Sequence, residues 1–328
     1  MLRALRFFEI EPARVLPYRG LGDDFQWRAE DGSRAVLVRQ HHPTRSDGAI
    51  AWEHELRRYL ASKGWPAAPP LVTRDGRDVV GIDGERFSIY PLPQGFPLRR
   101  LSPAVAQVLG RLLARFHLDT RHFPGEGQPE GLGRAWELDA FAQAAGFSAL
   151  SELILAFGRE HGALAQKLRK ERFRLVRDLA RSGFARLPEG VVHLSFCREA
   201  LLFDEGHPVA LLEFELAHRD ALAFDLAATL VREAWRGPSA GFDERLVLAL
   251  LEGYEALRPL ESEEVQALPT LIRAVVFWEA ARALVRWWNE GSQRAVRRLE
   301  QVLERDLPAL EAEARRLLAL VAPHGRRR

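Results

Sequence analysis

Hydrophobic spacing changes character once along this chain. In the first ninety or so residues the apolar positions come in short alternating runs, the pattern of half-buried strands. Residues 26–30 and 35–39 flank Asp31-Gly32-Ser33, a hairpin signal, and two further hairpins are predicted to turn at Asp75-Gly76 and Asp83-Gly84. One stretch between them has a longer period. Ile50, Trp52, Leu56, Tyr59 and Leu60 share one face of a helix over 49–63, which Gly64 and Pro66 stop. A strand ending at Ile89-Tyr90 then runs into a connector, Pro91-Leu92-Pro93-Gln94-Gly95.

Beyond that connector the period is mostly helical. Ser102 followed by Pro103 is a capping side chain with proline at the first helical position, and the helix it opens buries Val105, Leu109, Leu112, Leu113 and Phe116. Residues 119–133 are rich in Gly and Pro and read as a loop. Helical patterns fill 135–184, with breaks at Gly146 and Gly162. Two strand-like runs, 191–196 and 210–214, surround a compact hairpin at Asp204-Glu205-Gly206. Helices follow over 223–235, 244–256, 263–289 and from Gly291 onward, the last interrupted at Pro308. The pattern predicts an α+β fold of two lobes. Residues 1–93 form a small antiparallel sheet with one helix, and residues 94–328 form a helical lobe carrying a hairpin at about 191–215.

Composition narrows the class. With 328 residues, 47% hydrophobic and 28% charged, the chain can bury two modest cores and is neither disordered nor membranous. No apolar run reaches the roughly 20 residues that span a bilayer, and the opening residues lack a secretory signal pattern. A single cysteine, Cys197, suits a reducing cytoplasm. Lysine occurs only at Lys63, Lys167 and Lys170, so arginine supplies almost all the positive charge; with scarce Met and Cys this suggests a GC-rich, thermophilic bacterial source. A net charge of +2 calls for no nucleic acid, and the basic stretches at 167–172 and Arg326-Arg327-Arg328 have no interleaved aromatic residues.

The candidate chemistry sits in His193-Leu194-Ser195-Phe196-Cys197-Arg198-Glu199-Ala200, followed by Leu212-Glu213-Phe214-Glu215 and Phe224-Asp225-Leu226-Ala227. The frame resembles the H-G-D-x-x-x-x-N, hydrophobic-D-[FW] and D-L-A motifs of the aminoglycoside phosphotransferase and choline kinase family. Gly64 to Leu71 is similar to the family's G-x-P-V-P-x-P-L, and Gly110 to His117 to its G-x-x-L-A-x-L-H helix. The resemblance covers nearly the whole chain and implies a protein-kinase-like fold. It implies that Arg39 stands at the phosphate-gripping Lys, that Glu55 is the carboxylate paired with it, and that Gly20 and Gly22 belong to the nucleotide loop. ATP and magnesium are the cofactors it implies, with Glu213 the metal carboxylate.

Three departures bear on activity. Ser195 replaces the acid–base Asp, and a serine is no base near neutral pH without one of its own. Ala200 replaces the metal-binding Asn and offers no oxygen ligand, while Glu213 is one methylene longer than Asp. The reading that follows is a pseudokinase, inactive or very weak as an enzyme, that binds a small molecule or a protein partner. The alternative is an active ATP-dependent small-molecule kinase using Glu213 for magnesium and a displaced carboxylate, Glu199, Glu215 or Asp220, as base. A third class is nucleotidyl transfer from a reversed ATP. Those three carboxylates otherwise read as solvated, Asp23 and Asp24 as repelling a triphosphate, Cys197 as inert packing, and His193 and Asp225 as structural. His41 and His42 read as exposed, and Trp278, Trp287 and Trp288 as core.

Overall fold

The structure is a computed structural model that describes residues 1–21, 24–32, 34–125, 129 and 132–321, with Ala314 and Arg315 described by backbone alone. Gly22 and Asp23 of the nucleotide loop, Ser33 and the Arg326–Arg328 tail lie outside the described residues. In chain order the elements are α1 (Leu2–Phe7), β1 (Arg14–Tyr18), β2 (Phe25–Asp31), β3 (Arg34–Gln40), α2 (Asp47–Ser62), β4 (Val80–Ile82), β5 (Glu85–Pro91) and β6 (Phe96–Pro97). Then come α3 (Pro103–Asp119), α4 (Ala140–Gln143), α5 (Leu150–Phe157), α6 (Gly162–Arg181), β7 (Glu189–Val192), β8 (Leu201–Asp204), β9 (His207–Leu211) and β10 (His218–Ala221). The chain finishes with α7 (Leu222–Ala234), α8 (Glu244–Glu255), α9 (Ser262–Glu290), α10 (Gln293–Gln301) and α11 (Leu307–Val321). A small antiparallel-sheet lobe and a largely helical lobe are thus both present.

Two compact units emerge from this order. The first comprises residues 1–100, 122–130 and 197–217, the second residues 101–121, 131–196 and 218–328. The β8–β9 hairpin therefore belongs with the sheet and not with the helical part to which its position in the chain had assigned it. The reason is apolar packing: Leu202, Ala210 and Leu212 form one cluster with Leu37, Tyr90 and Leu92, and the Leu211 N–H bonds the Pro66 carbonyl at 2.7 Å.

In the first unit the sheet order is β1-β2-β3-β5-β4, antiparallel throughout. Two hairpins turn through paired left-handed residues, Asp83 (φ 53°) with Gly84 (φ 82°) in this sheet and Glu205 (φ 47°) with Gly206 (φ 83°) in the separate β6-β8-β9 sheet. That conformation matches the twist of the strands it joins, as the sequence leads one to expect. The hairpin predicted at Asp75-Gly76 does not form. There Thr73 Oγ1 donates to Asp75 and accepts from the Arg77 N–H, and these local bonds satisfy a turn without flanking strands. Helix α2 starts where Ser46 accepts the Ala49 N–H.

In the second unit β7 pairs with β10 rather than with the hairpin. Helix α3 opens as predicted, with Ser102 capping Val105 and Pro103 at its first position. Trp278 and Trp287 are buried in the core, but Trp288 is half exposed and meets the Phe147 ring edge-on. The last helical stretch passes through a π turn over Val302–Asp306 just before Pro308, whose missing N–H removes one ordinary helical bond. Helices α3 and α8 pack at glycines. A Cβ on Gly110 would lie 2.1 Å from the Leu250 carbonyl oxygen, and one on Gly253 only 2.0 Å from that of Gln107. No helix among the described residues is long and apolar enough to cross a membrane.

That contact generates a prediction. Alanine is the better helix former by about 1 kcal/mol, so Gly253→Ala would stabilise a solvated helix. Here the backbones must separate, and we expect a net loss of about 1–3 kcal/mol, measured by chemical denaturation. A gain in stability would show that the two helices are not held at this distance.

Candidate active site

The first unit carries a buried charge cluster centred on Arg39. This residue lies on β3 with 1% exposure, opposite Gln26 of β2 and Ser88 of β5. Its guanidinium meets three carboxylates: Asp24 at Nε (2.5 Å), Glu53 at Nη1 (2.6 Å) and Glu215 at Nη2 (2.7 Å). Glu53 also receives Arg45 (2.8 Å) and Arg57 (2.9 Å), while Arg57 is held between the rings of Tyr90 and Phe214. Three cations thus face three anions. Burial opposes charge on Arg39, Asp24 and Glu53, yet their partners override it. Glu53 and Asp24 hold Arg39 above the usual arginine range, and the arginines hold Glu53 and Asp24 well below the carboxylate range. His41 is pushed down to about 4, chiefly by burial, and its ring shares a 2.8 Å hydrogen bond with Ser88 Oγ.

Several expectations are corrected here. The carboxylate on Arg39 is Glu53, and Glu55 is exposed. Ile50, Glu53 and Leu56 stand three apart on the buried face of α2, which leaves Glu55 on the opposite side. The helical stripe was legible, and Glu53 rather than Glu55 falls on it. Asp24 and Glu215 are ion-paired rather than repulsive or solvated. His41 is buried, not exposed.

Glu213 follows β9 in the left-handed conformation (φ 62°, ψ 49°), a strained state for a side chain other than Gly or Asn. Strain of this kind points to a functional position, and the neighbouring Leu212 N–H anchors the turn to the Ala200 carbonyl at 2.8 Å. Glu213 Oε2 accepts the Leu21 N–H at 3.0 Å, and Oε1 lies 3.0 Å from the point a Cβ on Gly20 would occupy. Gly20, Arg39 and Glu213 are therefore gathered in one unit. Ala200 is fully buried and contributes only its backbone.

The second unit holds the loop after β7. Both oxygens of Asp225 accept backbone N–H groups, from His193 (2.7 Å) and Leu194 (2.8 Å), and His117 Nε2 lies 3.1 Å from the same carboxylate. Leu194 stands where the family motif has glycine and keeps a glycine-like φ of 56°. The doubly accepting carboxylate is what holds it there. Ser195 is buried, and its N–H bonds His193 Nδ1 at 3.3 Å. His117 in turn contacts the Tyr254 hydroxyl at 2.8 Å, which Arg258 reaches at 3.0 Å. Tyr254 carries no sequence signal, because its partner His117 lies 137 residues away. Asp220 is buried and accepts the Ala135 and Ala221 N–H groups at 2.7 Å each, so it is structural and not a solvated carboxylate. Glu199 is exposed beside Arg198, as expected.

The chain belongs to the phosphotransferase enzyme family, which it matches over residues 17–260. It is similar to a homoserine kinase of Methylobacterium radiotolerans, 31% identical over 235 residues that make up 71% of this chain and 68% of that protein. A homoserine kinase of Caulobacter vibrioides is 29% identical over 293 residues, 86% of each chain. Among solved structures, a microcompartment-associated aminopropanol kinase superposes with a TM-score of 0.68 over 99% of this chain and 98% of that one, at 17% identity. That last likeness is one of fold. The expectation of a pseudokinase draws no support from relatives that carry kinase names.

Two outcomes follow from the charge cluster. Glu53→Ala leaves buried arginines short of a partner and should cost about 3–5 kcal/mol, whereas Glu55→Ala should leave the melting temperature unchanged. Equal effects would refute the assignment. The second concerns pH. In the folded protein burial lowers His41 to about 4 and lowers His117 as well, while the unfolded chain protonates both near pH 6.5. The unfolded state therefore binds more protons as pH falls, and stability should decline between about pH 6.5 and 4. His41 accounts for about 3 kcal/mol of this. Asp24 and Glu53, held low, contribute above about pH 4 and lose their contribution only on further acidification. Urea unfolding from pH 8 to 4 should show the slope, and His41→Gln should flatten it.

Proposed function

We propose that this chain is an ATP-dependent small-molecule kinase with a slow, rearranged site, and that its acceptor is the hydroxyl of an amino acid of the homoserine type. The observation that carries the reading is the buried Arg39–Glu53 pair at 2.6 Å, because a kinase needs a cation on this strand held by a helix carboxylate. The names of the relatives in two bacterial genera support the acceptor class. A cytoplasmic location is part of the same reading.

Each part has a physical role. Three carboxylates are ion-paired around the Arg39 guanidinium and fix its position, Glu53 accepting a hydrogen bond from Nη1. Magnesium, bound with the nucleotide, supplies neutralisation of the phosphate charge. Glu213 is the residue that would hold it, its Oε2 steadied by the Leu21 N–H. Asp225, through the His193 and Leu194 amides, fixes the loop that presents Ser195. Phosphoryl transfer passes through a loose transition state in which positioning and charge do most of the work. Loss of a base therefore slows the reaction by about 10²–10⁴-fold without ending it.

A second reading, binding without transfer, is favoured by Ser195 and Ala200, which remove the base and one metal ligand. One experiment separates the two. With ATP, magnesium and homoserine, ADP release should depend on both metal and acceptor at about 10⁻⁴–1 s⁻¹, the usual 1–100 s⁻¹ reduced by the missing base. Glu213→Ala should abolish it and Ser195→Asp should raise it. If ATP and magnesium raise the melting temperature but no acceptor yields ADP, the second reading stands.

A further inference from the structure

Helix α6 ends at Arg181, and two residues later Gly183 turns the chain back in the left-handed conformation (φ 66°). A Cβ there would be strained and would lie 3.0 Å from Arg186 Nη2, so the guanidinium folds over this turn. The returning chain sets Phe184 edge-on to Trp136, with ring centroids 4.5 Å apart. Between these rings and α6 lies a cavity of about 430 Å³, walled chiefly by Trp136, Val176, Leu179, Ala180 and Phe184. Every residue that lines it belongs to the second unit. Its size and its apolar, aromatic lining are those of a small-molecule pocket. Arg186 is the only charged residue in the lining. It has no ion-pair partner among the described residues, whereas Arg134, over the Trp136 ring, bonds Glu189, and Arg177 bonds Asp178. Phe173 and Val176, one turn apart on α6, are 69% and 42% exposed, so apolar surface continues along the helix from the cavity.

Nothing in this sequence remains to fill the cavity. Residues 22, 23, 33, 126–128, 130, 131 and 322–328, which lie outside the described residues, include no large apolar side chain. An unpaired guanidinium presents a planar fork of donors that matches a carboxylate, and the two rings present faces and edges to a flat apolar body. We propose that this cavity is a second ligand site, which takes a small aromatic carboxylate with its ring among the apolar walls and its carboxylate on Arg186. The site stands apart from the loop that carries Ser195. Arg134 reaches from Trp136 to Glu189, the first residue of β7, whereas that loop leaves β7 after Val192. The strand between them is about 10 Å long. The inference holds whether or not the chain transfers a phosphoryl group.

Isothermal titration calorimetry on the full-length protein tests this, with cinnamate as the probe and cinnamyl alcohol as its uncharged counterpart. Wild type should bind one cinnamate per chain, and the alcohol more weakly. Arg186→Gln should weaken cinnamate by at least about tenfold, the worth of a hydrogen bond to a charged group, and leave the alcohol unchanged. Ala180→Trp, which fills the cavity from α6, should remove binding of both. Ala180 and Arg186 are exposed, so neither substitution opens the core, and circular dichroism checks the fold of each variant. Excess ATP with magnesium should leave the affinity for cinnamate as it was. A wild type that binds no cinnamate, or binding that survives both substitutions, would overturn the site. Displacement by ATP would place the probe in the nucleotide site and overturn it equally. Equal weakening of acid and alcohol by Arg186→Gln would overturn the carboxylate contact.

Discussion

Arg39 has to carry a full charge with almost no water around it, and the first unit is organised by that demand. An isolated buried ion is costly enough that it must be paired and hydrogen-bonded on several sides. Its three partners come from the start of β2, from α2 and from the segment after β9. Helix orientation, strand register and the placement of the hairpin are consequently tied to one guanidinium. Arg45 and Arg57 complete the balance, and the rings of Tyr90 and Phe214 shield Arg57.

The second unit solves a related problem with backbone donors. Asp225 keeps its charge in a fully buried place because two amides and His117 surround it, and His117 leans on Tyr254. The arrangement lets Leu194 occupy a conformation usually left to glycine. The loop is thus held in a glycine-like turn although Leu194 and Ser195 stand where the family motif has Gly and Asp. Strain at Leu194 and at Glu213 falls at two of the positions where the sequence departs from the family motif, Ser195 and Ala200 being the others.

Much of the fold was legible because it is set locally. Asp83-Gly84 and Glu205-Gly206 turn as such pairs do, Ser102-Pro103 opens its helix, Gly146 falls between helices and Gly162 begins one. The failures came where tertiary partners decide. Glu53 and Glu55 look alike as residues two apart, and only the buried stripe of α2 separates them. Glu215 and Asp220 resemble loop carboxylates until a guanidinium and two amides from elsewhere in the chain are brought to them. The polar contents of a core are harder to read than its apolar frame, because each group is explained by a partner at no fixed spacing. The motif frame was readable because the family keeps its spacing. What the changed residues do within it depends on neighbours such as Leu21, whose N–H steadies Glu213.

One feature of the charge cluster bears on how the chain is made. Of the three anions, Asp24 and Glu53 are synthesised early, with all three arginines, but Glu215 arrives after the whole of α3 to α6. During translation the sheet therefore emerges with three positive charges and two negative ones, and with Leu37, Tyr90 and Leu92 uncovered by the hairpin. At about 5–20 residues per second, the missing strand pair follows on the order of ten seconds later. For that interval the amino-terminal segment is an unfinished body, cationic at its centre and sticky on one face. Vectorial synthesis cannot complete it piece by piece, and it closes only when a distant part of the same chain comes back to it.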